Sequence, residues 1–453
     1  MNFIKTAFSG MQATQAHLNA TSMNIANIHT PGYSRQRAEQ SAIGADGQGG
    51  INAGNGVNVD AIRRLSKQYV VMQEWQANSQ QQYYEAGEQY LKAVELMVSN
   101  ESTSLATGLN NFFSSLSAAT QMPDSTPMRQ QIIESANAMA LRFNNVNNFI
   151  AQQKNSIGQQ RDISIKEINS LTRSIADYNQ QILKNRSDGN NINDLLDKQE
   201  LQIKKLSGLI ETQVNQAEDG TYRVSVKQGQ PLVNGAVAAE LAVDTRSADT
   251  KINIHFSGTT QGMNMSCGGQ LGGINDYEFT TLKKLQASTQ GMAKTVADEF
   301  NTQLKLGSDF TGANGRDLFV FNPGDPNGML QLSAITAEQL ALAGRGEPSG
   351  DSSNLFKLID IKQKNVVGMN SVRLDDAATT LVGYIAITSN RNYSELENAE
   401  NTLNQATRYR ESISGVNNDE EAINLMEYQR AYQSNMKVIA TGDKLFSDLL
   451  ALI

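Results

Sequence analysis

Apolar residues recur at every seventh position at both ends of this chain. In the tail, Leu425, Tyr432, Ile439, Phe446 and Ile453 keep that spacing, and Tyr428 and Leu449 fall on the same stripe between them. In the head, Ile4, Met11, Leu18 and Ile25 repeat in the same way, with Ala7 and Thr21 in the gaps. This period marks an amphipathic helix with a coiled-coil-like seam. No proline interrupts either stretch, and Glu427, Arg430, Lys437, Asp443 and Lys444 occupy the opposite face of the tail. Such helices need an apolar partner, because an isolated amphipathic helix is marginal in water. The two ends therefore either close on one another or pack against other copies. Spacing alone favours the first.

Between the ends the chain reads as long helices around a β-rich insertion. Residues 41–58 hold six glycines and little bulk, so 41–64 reads as a linker or extended hairpin. Tyr69, Met72, Tyr83, Tyr90, Val94 and Met97 share one helical face, and Leu105, Leu109, Phe112 and Leu116 share another. From Met128 to Asn185 there is one glycine and no proline. Unbroken, that helix is on the order of 85 Å long. Asp188-Gly189-Asn190 ends it, and Leu195 to Ile210 returns. After Asp219-Gly220 the period changes to two, with Tyr222, Val224 and Val226 on one side of a strand. Further strands are expected at Val237–Val243, Ile252–Phe256, Asp317–Phe321 and Met329–Ser333, and helical pattern resumes at Tyr277 and at Ala377.

Composition narrows the function. The formal net charge is −8 and there is no basic run, which argues against nucleic acid, whose phosphates require Lys and Arg. One cysteine, Cys267, allows no intrachain disulfide. No signal peptide is apparent, since Phe3–Met11 is too short and polar for its apolar segment, and no run reaches membrane-span length, so no membrane insertion is expected. Read physically, this is a cytoplasmic composition.

Motifs for chemistry are scarce. His17, His29 and His255 have no metal-ligand spacing to one another or to cysteine, and zinc-protease, P-loop and nucleophile-elbow patterns are absent. The run Gly268-Gly269-Gln270-Leu271-Gly272-Gly273 lacks the lysine of a phosphate loop and reads as a hinge; Asp309 to Asp317 lacks the closing glutamate of a calcium loop. The pairs Asp375-Asp376 and Glu420-Glu421 invite comparison with glycosidase carboxylates, but both sit where helices begin and suit the dipole there. The expectation is no enzyme, no cofactor and no metal.

Two groups of residues carry a specific resemblance. The head contains SGMQA (Ser9–Ala13), NIAN (Asn24–Asn27) and TPGY (Thr30–Tyr33). The tail contains SGVN (Ser414–Asn417), Glu420-Glu421 and YQRAYQSN (Tyr428–Asn435). Together, in this order, they resemble the paired terminal signatures of bacterial flagellar axial proteins, the rod, hook and hook-associated family. Ser34-Arg35-Gln36 after TPGY, and SGVN followed by DEE, are similar to the hook-associated members at the hook–filament junction. Asn418 departs from the family, where an apolar residue is commoner. The motifs cover roughly a sixth of the chain.

The resemblance implies a fold and a role. The expected fold is mostly α with an inserted β-rich module, an elongated, nested multi-domain axial protein whose N- and C-terminal helices form a coiled coil. The expected domains are 1–40 plus 414–453 for assembly, 41–64 as linker, 65–215 plus 270–315 plus 360–413 as a helical rod, and 216–269 plus 316–359 as an outer β-rich domain. The resemblance implies a structural subunit in the extracellular flagellum, exported unfolded through the type III apparatus without a cleaved signal. Implied partners are further copies (a homo-oligomer), the flagellar hook protein, the second hook–filament junction protein, and an export chaperone on Leu425–Ile453. Alternatives are a hook or distal-rod subunit, a cell-wall hydrolase, and a type III translocator or adhesin. The residues expected to form the assembly interface are Ile4, Met11, Leu18, Ile25, Leu425, Tyr428, Tyr432, Ile439, Phe446, Leu449 and Ile453.

Overall fold

A computed structural model describes residues 2–44, 54–244, 251–325, 327–369 and 371–451. The chain runs α1 (Asn2–Ala26), the strands β1 (Gln36–Ile43) and β2 (Gly56–Arg64), then α2 (Gln68–Ser99), α3 (Leu105–Ala119), α4 (Thr126–Ser187) and α5 (Asn193–Leu209). Strands β3 (Thr212–Gln216), β4 (Tyr222–Val226), β5 (Pro231–Asn234), β6 (Val237–Ala238), β7 (Glu240–Asp244), β8 (Lys251–Phe256) and β9 (Thr259–Met263) follow. Next come α6 (Gly269–Asp276), a π-helical turn at Tyr277–Leu282, and α7 (Lys283–Lys305). The short strands β10 (Gly307–Ser308), β11 (Phe319–Phe321), β12 (Leu330–Leu332) and β13 (Ala343–Gly344) lead to α8 (Ser353–Asp360), α9 (Leu374–Ser414) and α10 (Asn418–Leu450). The chain is therefore mostly helical, with helices at both ends and an inserted strand-rich region.

Two compact units form. The first contains residues 1–82, 165–269 and 398–453; the second contains 83–164 and 270–397. In the first unit, β1 and β2 make an antiparallel hairpin with a bulge between Glu39 and Gln40. Its tip, residues 45–53, lies outside the described residues, as does part of the expected 41–64 linker. Strands β3 to β6 form a four-stranded sheet and β7 to β9 a three-stranded one. Two buried asparagines of α4 dock these sheets. Asn169 Nδ2 donates to Leu241 O (2.9 Å) while its Oδ1 accepts from Leu241 N (2.8 Å), and Asn179 makes the equivalent pair with Tyr222. A side-chain amide thus replaces a neighbouring strand, satisfying backbone groups that burial would otherwise leave unpaired.

The second unit has a closed apolar core. Phe112, Phe143, Phe300, Phe319, Ile132 and Met139 are all buried, and Phe112 lies 5.0 Å from Phe300 and 5.8 Å from Phe319 between ring centroids. Arg129 is also buried, and among the described residues no carboxylate lies within ion-pair distance of it. Its guanidinium donates to the carbonyls of Pro123 (2.7 Å) and Leu340 (2.6 Å).

Sequence and structure part company in the strands. The strands at 212–263 pair among themselves, and those at 307–344 pair among themselves; among the described residues no ladder joins the two groups. A single outer β-rich domain built from 216–269 plus 316–359 is therefore replaced by two separate sets. The pairs β10–β13 and β11–β12 are two or three residues long, too short to recruit distant strands. The glycine run at 268–273, expected as a hinge, holds the boundary between the two units, between Gly269 and Gln270, and is itself mostly helical. Gly268 and Gly269 turn the chain at φ +65° and +60°, and α6 starts immediately. Gly273 within it presses on the carbonyl of Tyr83, where no side chain fits.

Candidate functional site: the terminal helix pair

Helices α1 and α10 pack against each other in antiparallel fashion. His17 stacks on Tyr428 (4.8 Å between centroids, 23° between planes), Gly10 lies under Asn435, and Gly442 lies under Ile4 and Phe3. At Gly10 and Gly442 the missing side chain lets the helices approach closely, as small residues do wherever backbones must meet. The residues of α1 that become fully buried are small or polar: Ala7, Ala13, Thr14, Ala20, Thr21 and Asn24. Part of this burial is against the hairpin. Val57 N donates to Ser9 Oγ (3.1 Å), and Gly56, at φ +109°, leaves room for that hydroxyl.

The expected interface residues are placed as follows. Ile4, Met11, Leu18, Ile25, Leu425, Tyr428, Tyr432 and Ile439 are all half-buried along the helix pair, and Phe446 is exposed. The side chain of Leu449 and the whole of Ile453 lie outside the described residues. The seven-residue repeat thus marks the edges of the contact, and the alanines and glycines between mark its floor. Reading large apolar residues alone misses that floor.

One end of the pair is held by a polar lock that joins the head and tail motifs. Asn24 Nδ2 donates to Gln36 O (2.9 Å) and to Glu421 Oε2 (3.1 Å), and its Oδ1 accepts from Tyr33 Oη (2.9 Å) and Gln36 N (2.8 Å). Arg35 bridges Glu420 (2.7 Å) and the buried Glu421 (2.6 Å), and its backbone N–H donates to Ser414 O (2.8 Å). Burial, and then the carboxylates of Asp197 and Glu421, push the Tyr33 phenol up to about 12, because the phenolate would add charge to a site already rich in it. Asn417 caps α10 by accepting from Asp419 N (2.9 Å). Glu420 and Glu421 therefore serve helix start and lock together. Asp375 and Asp376 sit in the first turn of α9, where Arg373 meets Asp376 (3.0 Å).

A second cluster fastens the turn after α1 and the hairpin to α5. Arg64 forks to Asp197 (2.7 Å) and Glu200 (2.7 Å), Tyr222 Oη donates to Glu200 (3.1 Å), and Ser34 N donates to Asp197 (3.2 Å). One guanidinium faces two carboxylates, all buried. Burial raises the Asp197 carboxyl against the pull of Arg64, while both carboxylates raise Arg64. Burial prevails at Asp197, whose carboxyl is held above its ordinary range, since two buried anions share one cation. A third buried carboxylate, Glu74 of α2, holds Lys204 (2.6 Å) and Arg410 (3.1 Å).

Just beyond this lock lies a groove of about 610 Å³, lined by residues 27–33 after α1 and by Arg410, Glu411 and residues 414–418 before α10. Among the described residues no group of three or more His, Cys, Asp or Glu side chains is placed to hold a metal, and no helix is long and apolar enough to cross a membrane.

The comparisons with known proteins agree with this geometry. Residues 91–319 match the flagellar hook-associated protein FlgK helical domain. Residues 4–33 match the flagella basal body rod protein family, and residues 410–452 match the C-terminal family of the basal body rod FlgEFG proteins. Flagellar hook-associated protein 1 of Salmonella typhimurium is 25% identical over 553 residues, covering 99% of each chain. That of Bacillus subtilis is 23% identical over 493 residues, covering 99% of this chain and 97% of its own. The flagellar hook junction protein FlgK from Burkholderia pseudomallei has the same fold, with a TM-score of 0.67 at 17% identity over 77% of this chain and 100% of that one. The helical middle and the locked terminal pair point to the same place: the chain belongs to the FlgK family of flagellar hook-associated proteins.

Proposed function

We propose that the chain is a structural subunit of the flagellar hook–filament junction, joined to its neighbours through the faces of α1 and α10 that its own fold leaves open. The observation that supports this is exposure. Phe8, Met23, Ile423, Met426, Val438 and Leu445 all stand in solvent on a helix pair that is closed along its other side. Monomeric proteins seldom display so much apolar surface without a partner. The seam residues from Ile4 to Ile439 keep the pair together, and the outward residues meet other axial subunits: further copies, the hook protein below and the second junction protein above. The same outward face of α10 is the target of an export chaperone, and the chain travels by the type III route without a cleaved signal. The role is mechanical and calls for no catalysis.

The test is electron microscopy of cells lacking this chain, with flagellin assayed in the medium. Bare hooks and soluble flagellin are expected, restored to filaments by the wild-type chain but not by Ile439→Asp, which places a charge in the seam. Circular dichroism should show the second unit of that variant still folded. Normal filaments without the chain would overturn the junction role, and missing hooks would move it to the rod or hook.

A further inference from the structure

Two tyrosines of the first unit meet at their hydroxyls. Tyr69 stands in the first turn of α2 and Tyr409 near the end of α9, 340 residues apart. Their phenolic oxygens lie 2.8 Å apart, with ring centroids at 6.4 Å and planes tilted by 55°. Both residues are exposed, Tyr69 at 51% and Tyr409 at 45%. The other neighbouring tyrosines among the described residues lack this combination of contact and exposure. Tyr90 and Tyr277 stack at 5.2 Å, but Tyr277 is buried. Tyr83 and Tyr84 are chain neighbours set edge to face at 86°, and the Tyr83 hydroxyl bonds to Asp276.

We propose that Tyr69 and Tyr409 are a site of oxidative cross-linking, where a one-electron oxidant, a haem peroxidase acting with hydrogen peroxide, joins α2 to α9 through a dityrosine bond. Each phenol gives up one electron to the oxidant and its hydroxyl proton to water. The unpaired electron of each phenoxyl radical is shared with the ring carbons ortho to the oxygen. One carbon–carbon bond forms between two such carbons. The hydrogen each of them carried moves to its own phenolic oxygen, which restores both aromatic rings. Two electrons and two protons leave in all, and they reduce one hydrogen peroxide to two molecules of water. With the hydroxyls in contact, the ortho carbons need only a small turn of two exposed rings to meet. Cys267, the one thiol of the chain, is buried and does not compete for the oxidant. A flagellar component works outside the cell, away from the cytosolic thiols that keep such chemistry reduced. Between α2 and α9 lies a groove of about 370 Å³ walled by Gln73, Gln76, Gln80, Thr402 and Gln405. Little apolar surface joins the helices there, so a covalent bond supplies what packing does not. Closing a loop of 340 residues also removes freedom from the unfolded chain. Nothing in this chemistry depends on the junction role.

The experiment treats the purified full chain with hydrogen peroxide and a haem peroxidase, then maps its peptides by mass spectrometry. The expected product is a single chain in which the peptides of Tyr69 and Tyr409 are joined, lighter by two hydrogens than the same peptides kept apart. Tyr69→Phe and Tyr409→Phe should each lose that product and still fold, since both positions are exposed. Coupling spread over the other tyrosines, coupling only between chains, or no joined pair would overturn the site. The oxidised wild type should also unfold at a higher urea concentration than the untreated chain, with no such rise in oxidised Tyr69→Phe. Equal midpoints for oxidised and untreated wild type would overturn the bond as a staple of α2 and α9. The same joined peptides are expected in flagella isolated from peroxide-treated cells. Their absence there, with the chain present, would overturn the bond as a modification of the assembled protein.

Discussion

The second unit and the terminal helix pair of the first keep themselves folded by opposite means. The second buries large rings and branched aliphatics, with Phe112, Phe300 and Phe319 in mutual contact. The first, around its chain ends, buries alanine, threonine and asparagine, fixes them with shared carboxylates, and leaves phenylalanine, methionine and leucine outside. Burial of apolar area stabilises in proportion to that area. By that measure the second unit draws its stability from its own core. The helix pair of the first spends its large side chains outward. A body meant to be rigid and an end meant to be joined differ in where the same residue types point.

The comparison can be broken most directly in the second unit. Phe300→Ala removes a ring that is 1% exposed and touches three other phenylalanines. It should cost about 3–5 kcal/mol. Chemical denaturation followed by far-UV circular dichroism should resolve this as an earlier transition of the second unit. A loss below about 1 kcal/mol would mean that the ring cluster is not what holds that unit.

The ionic side of the contrast predicts a smaller effect with a pH signature. Arg64→Lys keeps one positive charge but not the fork, so Asp197 or Glu200 loses its charge-assisted bond. The cost should be about 1–3 kcal/mol near neutral pH. Asp197 is raised by burial above its ordinary value of 3.8, so the folded state binds its proton more tightly than the unfolded chain does. Its contribution favours folding below the ordinary carboxylate range and is lost as pH rises through the folded value. The penalty of the lysine variant should therefore shrink on acidification and grow as pH rises out of that range. A penalty independent of pH would show that the carboxylates are already relieved by some other group.

How much of this was legible beforehand follows from sequence distance. The helices were, because residues such as Leu425 and Tyr432 repeat within one element. The hairpin was half legible from its glycines. The lock was not, because Asn24 and Glu421 lie 397 residues apart and the motifs that contain them do not show that they meet. Glu420-Glu421 is legible as a helix start, and only the fold shows Glu421 to be 1% exposed beside Arg35. Ala7 is legible on the head stripe, whereas Ala13 and Ala20 are not, because alanine fits either face of an amphipathic helix. The strand groups were assigned to one module because a period of two gives a strand's faces but not its neighbour.

The smallest expected effect lies in a single phenol of the terminal lock. Tyr33 links the head turn to Asn24 at 2.9 Å and feels both carboxylate clusters, Asp197 on one side and Glu421 on the other. Its value of about 12, against an ordinary 10.0, means that the folded state holds the phenolic proton more firmly than the unfolded chain. The stabilisation is full below pH 10 and is lost as pH rises from 10 toward 12, so alkali should loosen the terminal lock through this residue. Ultraviolet difference titration of the wild type against Tyr33→Phe isolates it, and the missing absorbance step should fall near pH 12. A step at pH 10 instead would mean that Tyr33 is in free contact with water and that the lock is open in solution. In that case the chain ends would differ from the second unit in being folded by assembly as well as made for it.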